Sequence, residues 1–255
     1  MLNSICKITG VASLALTFAA TATAQLPGAG PAEDSFYVSA FVGAAFPDDA
    51  ELDGLQNPDV GSPGVAGAPA NVVANLDTDV FFGGAIGYQA PFQFFGVIHP
   101  RAEIEVSYFE ADVSGGAFNG GNQVFSGEQG VLFVLLNQYA DFKFSDDQLI
   151  VPYLGGGLGL GIVDNNIQYF PDNGIATAPT FGVVEDDTAF ATHTAIGLTF
   201  KATERLDVYT EGRYYRIYNV ESERRFIADG ADIFNAEVDG DIDGFTATAG
   251  ARFRF

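Results

Sequence analysis

The stretch Gly244–Phe255, GFTATAGARFRF, sorts its residues by parity. Phe245, Ala247, Ala249, Ala251, Phe253 and Phe255 fall on one parity and are apolar; Thr246, Thr248, Gly250, Arg252 and Arg254 fall on the other. A β-strand sends alternate side chains to opposite faces, so this segment has one greasy face and one polar face that carries charge. Two architectures use such a strand. A soluble sandwich or cup turns the greasy face inward. A closed barrel in lipid turns it outward and lines its lumen with the polar set.

Seven further segments share the pattern. They run over about 35–46, 79–89, 101–111, 130–144, 149–163, 188–201 and 206–220. The clearest is Arg101–Ala111, where Ala102, Ile104, Val106 and Tyr108 alternate with Arg101, Glu103, Glu105 and Ser107. In VPYLGGGLGLG (151–161), Leu154, Leu158 and Leu160 face one way and Gly155, Gly157, Gly159 and Gly161 the other. The connections alternate long and short. The long ones are 47–78, 113–127, about twenty residues before Thr188, and 221–243. Transmembrane barrels alternate in this way, and each segment is long enough to cross a bilayer at a tilt. The charged parity carries both signs at matching depths, which a lumen requires and a solvated face does not. The expected fold is all-β: an eight-stranded antiparallel up-and-down transmembrane β-barrel over residues 35–255.

The N-terminus predicts export. Lys7 precedes an apolar run from about Ile8 to Ala20, and Ala22-Thr23-Ala24 is a small-x-small cleavage site. Residues 1–24 therefore read as a signal peptide and 25–34, rich in Pro and Gly, as a periplasmic lead-in. Cleavage removes Cys6, so no disulfide scaffold is expected. The net charge is −22, one unit more negative without Lys7, which repels nucleic acid and attracts cations.

These pieces resemble the eight-stranded outer-membrane barrel family typified by the OmpA transmembrane domain and its opacity-protein and small porin-family relatives. The matching segments are FYVSAFVGAAF (36–46), RAEIEVSYF (101–109), NQYADFKF (137–144), VPYLGGGLGLG (151–161), VYTEGRYY (208–215) and GARFRF (250–255). The resemblance implies a Gram-negative outer-membrane location with both termini periplasmic. It implies outer-membrane lipid and the barrel-insertion machinery as partners, with Phe253 and Phe255 as the assembly signal. The chain ends at the barrel, so the peptidoglycan-binding role of full OmpA is not implied. With no Trp, any aromatic girdle must use Tyr and Phe.

The inward parity collects Arg101, Lys143, Lys201, Arg213, Arg252 and Arg254 against Glu103, Glu105, Asp141, Asp207 and Glu211. Near-balance is what a narrow interior requires. The set reads either as a salt-bridged plug or as a gated ion path, and the narrow bore of eight strands favours the plug. The excess acid is then expected in the long connections: Asp48, Asp49, Glu51, Asp53 and Asp59; Glu185, Asp186 and Asp187; Glu221, Glu223, Asp229, Asp232 and Glu237 to Asp243. Asp239, Asp241 and Asp243 match the start of a calcium loop, DxDxDG. Gly250 stands where the bidentate Glu should be, so the motif is incomplete. Arg224 and Arg225 are expected to pair with these carboxylates.

Lipid A deacylases on small barrels use a His followed two residues on by Ser. Here Thr194 and Ala195 follow His193, and the other histidine, His99, falls in a short turn. No nucleophile–base pair, cofactor or complete metal site is legible. The expectation is a non-enzymatic barrel anchoring acidic surface loops for membrane integrity or partner binding, divalent cations among the partners. The alternative is a narrow porin-like channel for ions or small solutes.

Overall fold

The computed structural model describes residues 35–145 and 147–255. The expected signal peptide, with Cys6 and Lys7, and the lead-in lie outside the described residues. Ten strands follow in order: β1 Ser35–Pro47, β2 Ala50–Gln56, β3 Val72–Leu76, β4 Asp79–Gln89, β5 Ile98–Phe118, β6 Gly121–Phe142, β7 Ile150–Pro171, β8 Phe181–Lys201, β9 Leu206–Phe226 and β10 Ile233–Arg254.

Every pairing is antiparallel, and β1 bonds to both β4 and β10, so β1, β4 and β5 to β10 close a ring of eight. The closing seam runs from Tyr37 opposite Arg254 to Pro47 opposite Gly244. Closure leaves no strand edge in the ring, the condition for a sheet in lipid. Even-numbered residues of β1 and β4 to β8 face out, and odd-numbered ones do so on the membrane part of β10. Phe36, Val42, Ile86, Leu136, Leu154, Leu158, Ile196, Leu198, Phe245 and Phe253 stand among the exposed apolar side chains.

The far half differs from expectation. Strands β5 to β10 are 21 or 22 residues long, about twice the roughly 9–11 residues that cross a bilayer. The supposed loops are largely strand. Asn119 and Gly120, with φ of 49° and 74°, make the two-residue turn that Asn-Gly favours in hairpins, so β5 runs directly into β6. The segment 47–78, expected to lack strands, supplies β2 and β3. There Ala50 and Leu52 are buried while Glu51 and Asp53 point out. β2 pairs with β10, β3 pairs with β2 and with β5. At that level β2 and β3 take the places of β1 and β4, and the ring still counts eight.

The lumen is packed throughout. Above a polar tier lies an aromatic layer of Phe41, Phe81, Phe109, Phe133 and Tyr215, with ring centroids 5.4–6.4 Å apart. Above that, Leu52, Val72, Phe125, Ile167, Tyr169, Val183 and Val238 form a second core in the far half.

Candidate functional site

The polar tier is built from inward positions of seven strands. On β5, Arg101, Glu103 and Glu105 point inward in succession, and strands across the bore supply their partners. The Arg101 guanidinium pairs with Glu103 and lies 3.4 Å from Asp141 on β6. It stacks over the rings of Tyr139 and Tyr153, 4.0 and 5.1 Å from their centroids. Tyr37 donates its hydroxyl to Glu103 at 2.6 Å. Arg252 stands 3.8 Å from both Glu103 and Asp207, and Arg254 is 2.5 Å from Asp207.

One step toward the aromatic layer, Arg213 donates to both oxygens of Glu105, at 2.6 and 2.9 Å, and to Glu211 at 2.7 Å. Glu105 also accepts from Ser107 and Asn137, each at 2.8 Å, and Asn137 Oδ1 lies 2.9 Å from His193 Nε2. Nine of the eleven predicted lumen charges thus enter two adjoining sets, of six and three, which meet at Tyr153: Arg101 stacks over its ring and its hydroxyl donates to Glu211 at 3.1 Å. Eight of them expose 6% of their side chains or less, and Arg254 exposes 13%. Lys143 and Lys201 sit half-buried at the rim. Four arginines face five carboxylates, so the charges nearly cancel where an unpaired one would cost several kcal/mol.

The glycines of β7 make this packing possible. A Cβ on Gly155 would lie 2.0 Å from Tyr139 Cδ1, and one on Gly157 2.0 Å from Asn137 Oδ1. His193 is 4% exposed and inside this network. His99 belongs to the start of β5 rather than to a turn.

Outside, the apolar band ends at a level row of carboxylates. Glu110 on β5 neighbours Gly130, Gly130 neighbours Asp164 on β7, and Asp164 faces Asp186 on β8. Burial first, then the Asp186 carboxylate, raises the pKa of Asp164. Farther round, Asp48, Asp49, Glu51, Asp53, Asp239, Asp241 and Asp243 line one open groove with Arg216. Asp241 is held below its ordinary pKa by its hydrogen bond from Arg216, which stands 2.5 Å away.

Three expectations are corrected here. Asp239, Asp241 and Asp243 lie on β10, an extended strand, so no calcium loop encloses an ion. Asp241 is engaged by Arg216, and Asp243 accepts from the Tyr214 hydroxyl at 2.5 Å. Among the described residues no group of three or more carboxylate, His or Cys side chains is arranged to hold a metal ion. Glu185 to Asp187, Glu221, Glu223 and Glu237 are also on strands, not loops. Arg225 does pair with Glu223 and Asp232, but Arg224 pairs with no acid among the described residues. It is buried, with its guanidinium 4.2 Å from the ring centroid of Phe118 and 3.7 Å from that of Phe181, and it donates to the Tyr169 hydroxyl and Asn235 Oδ1. Strand parity alone would turn Arg224 outward, because odd positions such as Arg213, Tyr215 and Ile217 face inward on β9; a bulge at Tyr218–Asn219, where Asn219 holds φ at 53°, moves the inward set to Val220, Ser222 and Arg224.

No protein-family model and no curated protein matches the chain. Solved structures do. The outer membrane protein OprG from Pseudomonas aeruginosa superposes with a TM-score of 0.50 at 17% identity, over 88% of this chain and 96% of that one. The outer membrane protease OmpT from Escherichia coli gives 0.52 at 10% identity, over 87% of this chain and 97% of that one. At such identities the likeness is one of fold. It also corrects the expectation that the chain is not an enzyme. OmpT is a protease on a barrel of this shape, so the fold gives no ground for excluding catalysis.

Proposed function

We propose that the chain is an integral protein of a Gram-negative outer membrane, its termini periplasmic, whose barrel anchors a stiff acidic wall at the cell surface for membrane integrity or partner binding. The observation that carries this reading is the filled lumen. The Arg213–Glu105–Glu211 tier and the Phe41–Phe81–Phe109–Phe133 layer occupy the bore in series, while the exterior of the far half bears the excess negative charge. The partners that follow are outer-membrane lipid, the insertion machinery acting on Phe253 and Phe255, and divalent cations along the carboxylate row. The order of strands supports kinship with OmpA-type barrels.

One feature favours a narrow ion path as the second reading. Among the described residues, His193 Nδ1, Tyr215 Oη, Thr246 Oγ1 and Arg252 Nε are buried without a hydrogen-bond partner, strung along the lumen as polar stepping points. Single-channel conductance of refolded residues 25–255, beside Glu211→Ala and Arg213→Ala, separates the two. A silent bilayer for all three, with folded barrel on a heat-modifiability gel, supports the anchor. A salt-dependent current that rises when the pairs are cut replaces it with a channel.

A further inference from the structure

We infer that the β4–β5 turn, Ala90–Val97, is a lipid anchor whose phenylalanines seat in the leaflet at the end carrying the termini. This rests on the membrane-barrel reading above. The turn is APFQFFGV, and no Asp, Glu, Lys or Arg occurs between Asp79 and Arg101. Phe92, Phe94 and Phe95 are 46%, 51% and 92% exposed, and the first two pack edge to face at 5.4 Å.

The turn is built, not loose. Phe94 N–H donates to the Ile98 carbonyl at 2.8 Å, and Ile98 N–H returns the bond at 3.0 Å. Lys143 N–H ties the turn to the end of β6 through the Val97 carbonyl at 2.9 Å. Phe95 holds φ at 51°, a left-handed conformation that a bulky side chain adopts at a cost and that Gly or Asn adopts with ease. In water that strain would present an aromatic ring to solvent and gain nothing.

The occupant is read from continuity. Phe36 and Tyr88, 4.9 Å apart, close the lipid-facing band directly above the turn. The neighbouring β6–β7 turn exposes Phe144 and Leu149 on either side of a polar tip with Ser145 and Asp147, whereas the β8–β9 turn exposes Glu204 and Arg205. The uncharged apolar rim is therefore centred on the β4–β5 turn and extends only to the flanks of the β6–β7 turn. Aromatic rings at that level fit the boundary between headgroups and acyl chains.

The chain contains no tryptophan, so Phe95→Trp introduces a unique probe. The full chain is refolded into phosphatidylcholine vesicles with and without acyl-brominated lipid. Phe200→Trp, in the lipid band, and Val60→Trp, exposed between β2 and β3, serve as references. The anchor requires blue-shifted Phe95→Trp emission, quenched by brominated lipid to an extent comparable with Phe200→Trp and sparing of acrylamide. Red emission quenched by acrylamide like Val60→Trp, with Phe200→Trp lipid-quenched, overturns the anchor and leaves the barrel standing. Shielding from both quenchers assigns the turn to a second copy or another protein, and equally overturns it. If Phe200→Trp itself escapes brominated lipid, the membrane reading falls and the anchor with it.

Discussion

Arg213 grips both carboxylate oxygens of Glu105, at 2.6 and 2.9 Å, across 108 positions of sequence. The contact joins β9 to β5 through the middle of the bore. Its second arm engages Glu211, so removal of one side chain strands two buried carboxylates.

Arg213→Ala should therefore destabilise the folded barrel by about 3–5 kcal/mol, the usual result of breaking a buried pair from one side. Replacing Arg213, Glu105 and Glu211 together by apolar residues of similar volume should cost far less. Urea midpoints for refolded protein in vesicles compare the two.

Gly157→Ala should destabilise by about 1–3 kcal/mol, the range for overpacking a filled interior. Its new methyl would meet Asn137 Oδ1 and, at 2.5 Å, His193 Nε2. Gly212→Ala is the matched control, because nothing lies within 4 Å of its Cβ position. Adding Asn137→Ser to Gly157→Ala should restore part of the loss in the same unfolding assay.

Asp164 sets a pH dependence whose sign can be worked out. Burial and the facing Asp186 raise its folded pKa, so its contribution to stability is fully present below the unfolded value, about 3.9. It is lost as pH rises through the folded value. Asp164→Asn should remove this component and stabilise the far half at neutral pH. The wild type minus variant difference in urea midpoint, taken at pH 4 and pH 7.5, should shift toward the variant at the higher pH.

Arg224→Lys keeps the charge but loses the flat guanidinium between Phe118 and Phe181. The expected cost is about 1–2 kcal/mol, confined to the far half. Hydrogen exchange should quicken in 118–125 and 233–238, while the membrane part of β7 and β8 keeps its protection.

Phe255 is 70% exposed at the end of β10, so Phe255→Ala should leave refolding in vesicles nearly unchanged. As an assembly signal it should instead matter in cells, where the membrane fraction should fall several-fold. Equal losses in both assays would make it a packing residue.

The membrane half was legible because lipid imposes one rule on every strand. Asp79–Gln89 was expected as a strand on the boundaries it has. The far half was not legible, because there the outer face meets water. Carboxylates such as Asp164 and Glu221 occupy outward positions as they would in a loop, and parity loses its contrast. The short β2 carries the alternation Ala50-Glu51-Leu52-Asp53, but Pro and Gly on its C-terminal side hid it. Parity also listed the lumen charges without their pairing. Arg213 meets Glu105 only because β5 and β9 face each other across a closed ring, a fact of three-dimensional closure that no local pattern contains.

The substitution of β2 and β3 for β1 and β4 divides the molecule into a sealed base and a spliced neck. Withdrawing the hairpin from its slot would bare one flank of β5 and one of β10 well clear of the bilayer, while the hoop below keeps every rung. The seal of the membrane therefore rests on the hoop alone, and a change in the hairpin would alter the neck without opening the bilayer beneath it.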